Sequence, residues 1–173
     1  MSAELPYEVE RIIEGVEIRR YPAMVLATVH DMPDNEAFGI LFKYISGNNR
    51  SSRQEVGLRI AMTAPVISAS DSFSFAMPPS YSMESAPAPL DPRSVLERLP
   101  ERRVAALRFS GIAREEAVKA RSRHLLETLA RHELRASGAP FLMRYNAPFT
   151  PGFLRRNEVG VELLTDHQER GGS

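Results

Sequence analysis

Residues 21–29, Tyr21-Pro22-Ala23-Met24-Val25-Leu26-Ala27-Thr28-Val29, read as a proline turn that opens an apolar strand. Residues 99–109, Leu99-Pro100-Glu101-Arg102-Arg103-Val104-Ala105-Ala106-Leu107-Arg108-Phe109, read the same way. The two stretches lie about 80 residues apart, longer than a solenoid period. Under the same offset a helical segment near Glu36 answers one near Glu115, and Met62-Thr63-Ala64-Pro65-Val66 answers Met143 through Ala147-Pro148-Phe149. Two copies of a strand, strand, helix, strand unit account for this, over residues 7–77 and 93–164. Neither copy buries its apolar face alone. The expected fold is one α+β domain over residues 1–173, a duplicated half-domain closing as an antiparallel sheet or distorted barrel with two amphipathic helices.

Working outward, Tyr7 to Ile12, Val16 to Tyr21 and Met24 to His30 alternate apolar and polar residues, which predicts an antiparallel meander with turns at Gly15 and Pro22. From Asp34 to Ser46 the period changes: Phe38, Leu41, Phe42 and Ile45 fall at helical spacing, with Asp34 or Asn35 as N-cap and Gly47 as stop. Ser46 to Glu55 is a polar loop, and Ile60 to Ser68 and Phe73 to Met77 read as strands. Five prolines, Pro78, Pro79, Pro87, Pro89 and Pro92, predict a long surface connection over residues 78–92. Val104 to Phe109 is a strand, Arg114 to Leu134 a helix ended by Gly138, and Phe141 to Asn146 and Glu158 to Leu164 are closing strands.

Composition narrows the chemistry. The 22 basic and 22 acidic side chains cancel, so no bulk field draws the chain to nucleic acid or to an anionic surface. With no cysteine, disulfides, thiolate catalysis and thiolate-held metals drop out. No apolar stretch reaches the roughly 18 residues of a membrane span, and the first residues do not read as a signal peptide. The expectation is a cytoplasmic protein that binds no nucleic acid; the sequence does not disclose its oligomeric state.

No nucleophile elbow, P-loop, dinucleotide-binding or zinc-protease motif occurs. The four histidines, His30, His124, His132 and His167, have no ligand spacing: His124 and His132 point roughly 80° apart around their helix. Glu115 and Glu116 suit the positive end of a helix dipole better than an acid/base pair. No metal site is expected.

Four blocks carry more. Tyr44-Ile45-Ser46-Gly47-Asn48-Asn49, Arg59-Ile60-Ala61-Met62-Thr63-Ala64-Pro65-Val66, Tyr145-Asn146-Ala147-Pro148 and Arg155-Arg156-Asn157-Glu158-Val159 resemble, in order and spacing, the SOUL family of haem-binding proteins. The opening Tyr7-Glu8-Val9-Glu10 and Val16 to Tyr21 fit the same family, so the resemblance spans residues 7–164. It implies a barrel of two helix-backed halves and a tetrapyrrole ligand, haem or a metal-free porphyrin, held non-covalently by apolar contact as in a carrier or buffer. The implied contacts are Phe38, Phe42 and Lys43 on the first helix, Tyr145 and Phe149 on the late segment, and Met62 as a soft ligand or core side chain. A flat macrocycle gains about 25 cal/mol per Å² buried, and a cation offsets its carboxylates. For Phe38 and Phe42, core packing and ligand contact both stand. Where some family members place an iron-binding histidine this chain has Arg20, suited to a propionate.

The duplicated half-domain also resembles GyrI-like effector-binding domains, some of which are hydrolases using a glutamate with a tyrosine; Glu158 and Tyr145 match those parts. Against this, Glu158 also suits pairing with Arg155 or Arg156. A third reading is an interaction module docking through the proline-rich connection.

Overall fold

Turn chemistry sorts the strands. The computed structural model describes residues 3–50, 57–147 and 149–165. Its principal elements are β1 (Glu8–Ile13), β2 (Val16–Tyr21), β3 (Met24–His30), α1 (Asp34–Ile45), β4 (Val66–Ser68), β5 (Ser72–Ala76), β6 (Ser94–Leu99), β7 (Arg102–Phe109), α2 (Glu115–Arg131), β8 (Ala136–Arg144) and β9 (Asn157–Leu163). Glu14 and Gly15 take φ of 49° and 81°, as a tight hairpin turn requires, and β1 and β2 pair antiparallel around them. Pro22 has its φ locked negative and cannot form such a turn. The expected meander therefore stops after two strands: β2 lies beside β7, and β3 between β6 and β5. Pro100 acts in the same way between β6 and β7.

The chain forms two units, one of Ala23–Pro100 with the N-terminal segment ending at Leu5, the other of Pro6–Pro22 with the chain from Glu101 onward. In the first, an antiparallel sheet runs β6-β3-β5-β4. α1 packs on β3 and β5, with Leu41 and Tyr44 against Val25, Val29, Phe73 and Phe75. β3 is covered on both faces, so its polar Thr28 needs a partner inside and finds it in the hydroxyl of Ser74, 2.8 Å away on the neighbouring strand.

Residues 78–92 depart from the expected surface connection, since they fold as part of this unit. Tyr44 donates its hydroxyl to the Pro87 carbonyl at 2.7 Å, Ala88–Pro89 pairs with Asn49–Arg50, and Tyr81 and Ala86 pack on the core. Proline removes donors but not acceptors, so a proline-rich run still accepts such bonds. The expected strand from Ile60 to Ser68 is interrupted: only β4 joins the sheet, while Thr63–Ala64 pairs parallel with Ala3–Glu4. Pro65, between them, has no N–H for a ladder. α1 begins behind Pro33 without a side-chain cap; Asp34 accepts the Ser68 hydroxyl at 2.8 Å.

In the second unit the antiparallel sheet runs β8-β9-β7-β2-β1. α2 sets Leu125 and Leu129 against Leu142, Val159 and Val161. It ends at Arg131, short of the expected Leu134, because Glu133 turns into the left-handed region at φ 57° and the Leu134 N–H donates back to the Leu129 carbonyl at 2.9 Å. Gly138 is not the helix stop; at φ 77° it sits in β8 where the register with β9 shifts between Ser137 and Phe141, a bulge. No helix among the described residues is long and apolar enough to cross a membrane.

Replacing Tyr44 by Phe leaves the Pro87 carbonyl without its hydroxyl donor. The expected loss is about 1–3 kcal/mol, read as a lower urea midpoint together with faster proteolysis within residues 78–92.

Candidate functional site

The sequence-expected residues fall into two clusters, one in each unit. On α1 the side that faces the sheet carries Ala37, Ile40, Leu41, Tyr44 and Ile45. That stripe is rotated from the expected one, and it puts Phe38 and Phe42, one turn apart, on the flank. Phe38 is half-buried, edge-on to Phe75 at 5.4 Å and to Phe73 at 6.4 Å between centroids. Phe42 stacks on Phe38 at 5.9 Å between centroids, the ring planes nearly parallel at 15°, and is 52% exposed. Lys43 follows in the exposed last turn, and Met62 packs partly buried on the same core. The result is an open aromatic surface, fixed from behind by two buried rings, beside a cation. A cleft of about 320 Å³ elsewhere in this unit is lined by none of these residues; Glu84 and Arg98 on its walls give it no net charge to attract a dianionic ligand.

The other expected contacts lie in the second unit. Arg20 does not offer an open guanidinium: its Nε donates to Glu10 at 3.1 Å and its Nη1 lies 3.5 Å from Glu101. Phe149 is 90% exposed. In the first unit His30 is engaged by Glu97 at 2.6 Å, a bond that holds its pKa above the usual imidazole value. Among the described residues no three His, Cys, Asp or Glu side chains gather as a metal site would need.

The second cluster centres on Glu158, whose side chain is 0% exposed on β9. Arg19 on β2 grips it with both terminal nitrogens, at 2.7 Å to Oε1 and 2.5 Å to Oε2. Tyr145 donates its hydroxyl to Oε1 at 2.6 Å, and Arg156 reaches Oε2 at 3.4 Å. Arg19, 2% exposed, also donates to Tyr21 at 3.0 Å and to Glu17 at 3.1 Å, and its guanidinium lies 4.1 Å over the Tyr7 ring. Arg156 lies 3.9 Å over the Tyr145 ring and donates to the Tyr7 hydroxyl at 3.1 Å. The expected pairing with Arg156 is present but secondary; the main partner, Arg19, is one the sequence does not reveal. The two residues are 139 positions apart, and the alternation of β2 reads Arg19 as solvent-facing.

Electrostatics follow from this geometry. Burial pushes the Glu158 carboxyl up, but the bonds from Arg19 and Tyr145 outweigh it and hold the group below its ordinary 4.5. Burial raises Tyr145 far above the usual phenol range. A carboxylate with four donors around its two oxygens has no acceptor left for a substrate proton, and a general base poised near neutrality needs the opposite shift. These bonds tie β2, β9 and the segment after β8 into one buried cluster.

Glu158→Gln removes the main counter-charge of buried Arg19 and leaves it only the part-exposed Glu17 at 3.0 Å, an expected loss of about 3 kcal/mol. Because the folded-state pKa of Glu158 is depressed, its contribution is present above 4.5 and fades as pH falls through the lower folded value. Urea midpoints measured from pH 7 to about pH 3 should therefore fall less steeply in the variant than in the parent.

Comparison with known proteins fits this architecture. No curated protein matches the chain. Among solved structures it is similar to the EcmrR C-terminal domain, with a TM-score of 0.61, 8% identity, and coverage of 92% of this chain and 98% of that one. It is also similar to a hydrolase from Listeria innocua, with a TM-score of 0.58, 11% identity, and coverage of 90% and 94%. At these identities the likeness is one of fold, an α+β arrangement of antiparallel strands with two helices. A protein family described as SOUL heme-binding protein matches residues 2–162, nearly the whole length, and takes in the Arg59 to Val66 run, the Tyr145-Asn146 block and the Arg155-Arg156-Asn157-Glu158 run whose carboxylate closes the buried cluster. The chain belongs to the SOUL heme-binding protein family.

Proposed function

We propose that this protein carries or buffers a flat tetrapyrrole, haem or a metal-free porphyrin, against the exposed aromatic flank of α1. The observation that carries the reading is the Phe38–Phe42 pair: a stacked, half-open aromatic surface backed by Phe73 and Phe75, with Lys43 next to it. A macrocycle laid on Phe42 gains roughly 25 cal/mol for each Å² of apolar surface removed from water, plus the stacking preference of aromatic faces. Lys43 supplies a charge for a propionate. Met62 is partly buried against the same core. Family membership favours this ligand class. Apolar contact carries the binding and nothing is routed through the iron: Arg20 stands where some family members place a histidine, and it is engaged by Glu10.

Titration with haemin and, in parallel, metal-free protoporphyrin, followed by difference absorbance, should give saturable one-to-one binding of both. Phe42→Asp and Lys43→Glu should each weaken it about tenfold or more with the far-ultraviolet circular dichroism unchanged. Equal affinity in the parent and both variants removes α1 from the site. Binding of haemin alone shows that an axial ligand is needed and overturns the apolar-contact reading.

A further inference from the structure

The cleft of about 320 Å³ in the first unit lies between the start of β3, the end of β6 and the turn at Tyr81–Glu84. Strand register builds one wall. Arg98 stands opposite Val25 on the paired strands, and residues directly opposite share a face. Its side chain therefore leaves the sheet on the side where Val25 is buried. The other wall is a fixed turn. The Ser82 N–H donates to the Ser85 hydroxyl at 2.8 Å, and the Ser85 N–H to the Ser82 hydroxyl at 3.1 Å. The Ala86 N–H donates to the Ser82 carbonyl at 2.9 Å and the Tyr81 N–H to that of Pro78 at 3.0 Å. These bonds hold exposed Met83 and Glu84 at the tip, with Tyr81 packed on the core behind them. Between the walls the lining is apolar, from Met24, Val25 and Met83.

Two opposite charges on this cleft are left uncompensated. Neither Glu84 nor Arg98 has an ion-pair or hydrogen-bond partner among the described residues, and the two stand more than 4.0 Å apart. Glu97, next to Arg98, is already taken by His30 at 2.6 Å. Such a pair of walls discriminates by charge. A monoanion drawn to Arg98 meets Glu84, and a monocation drawn to Glu84 meets Arg98. A molecule with an ammonium at one end and a carboxylate at the other meets both with complementary sign. Charge-assisted bonds at its two ends offset the cost of taking a hydrated zwitterion out of water. The volume is at the small end of the roughly 300–1,000 Å³ that ligand clefts span, which suits a small molecule rather than a macrocycle. Methionine side chains adapt to an apolar group of variable outline.

We propose that this cleft binds a free α-amino acid or dipeptide with an apolar side chain. Its ammonium meets Glu84, its carboxylate meets Arg98, and its side chain lies against Met24 and Met83. The site is separate from the α1 surface proposed for the tetrapyrrole and does not depend on it.

Isothermal titration calorimetry of the full chain tests it with L-leucine, L-leucyl-L-leucine, N-acetyl-L-leucine and L-leucinamide. The expected result is one-to-one binding of at least one of the two zwitterions with a Kd below about 1 mM, and at least tenfold weaker binding of the N-acetyl and amide analogues, which each lack one charge. Glu84→Gln should weaken the zwitterion about tenfold and leave the N-acetyl analogue unchanged; Arg98→Gln should do the same and leave the amide analogue unchanged. Both side chains are exposed, so circular dichroism and thermal unfolding should match the parent. A Kd above about 1 mM for both zwitterions, or an affinity that neither substitution moves, overturns the proposal. Porphyrin titration of the two variants should match the parent. A loss of porphyrin affinity in Arg98→Gln assigns the cleft to the tetrapyrrole and overturns the proposal as well.

Discussion

The grip of Arg19 on Glu158 is the constraint around which the second unit is built. A carboxylate and a guanidinium with 0% and 2% exposed side chains are tolerable inside a protein only when each satisfies the other and the remaining lone pairs and N–H groups also find partners. Glu17, Tyr21, Tyr7, Tyr145 and Arg156 supply those partners. They come from β2 and the segments just before β1, after β8 and before β9. The cluster therefore requires these parts to assemble in one register. A slip of one residue in β2 would turn Arg19 to the opposite face and leave the carboxylate unpaired.

That commitment separates the unit's chemistry from its surface. The acid and phenol that most resemble catalytic groups are locked into the interior, with pKa values displaced away from neutrality. Among the large apolar side chains that stay exposed are Phe42 on α1 in the first unit and Ile112, Phe149, Phe153 and Leu154 in the second.

Much of this was legible locally. Hydrophobic period located both helices, and Glu14-Gly15 against Pro22 contains the difference between a hairpin and a departure, since only the former can adopt positive φ. Where local reading failed, a nonlocal contact had the deciding vote. The run from Pro78 to Pro92 reads as a linker until Tyr44 binds the Pro87 carbonyl. Gly138 reads as a helix stop until Glu133 takes the left-handed conformation first and the glycine serves a bulge. Helical spacing sets Phe38, Leu41, Phe42 and Ile45 on one stripe and leaves core packing and ligand contact both open for the two rings; the sheet beneath takes Ala37, Ile40, Leu41, Tyr44 and Ile45 and leaves Phe38 and Phe42 on the flank.

The sequence by itself determined the element types, the near 80-residue echo between the proline turns, the family motifs and the candidate aromatic, acidic and basic residues, because each depends on neighbours within a turn or a strand. Only the tertiary structure decided which charges meet and which rings stay in water. Those outcomes depend on the strand exchange that sets β2 beside β7 and so brings Arg19 to Glu158 across 139 positions. No period or motif encodes a pairing at that distance; it follows from the free energy of burying two opposite charges together rather than apart.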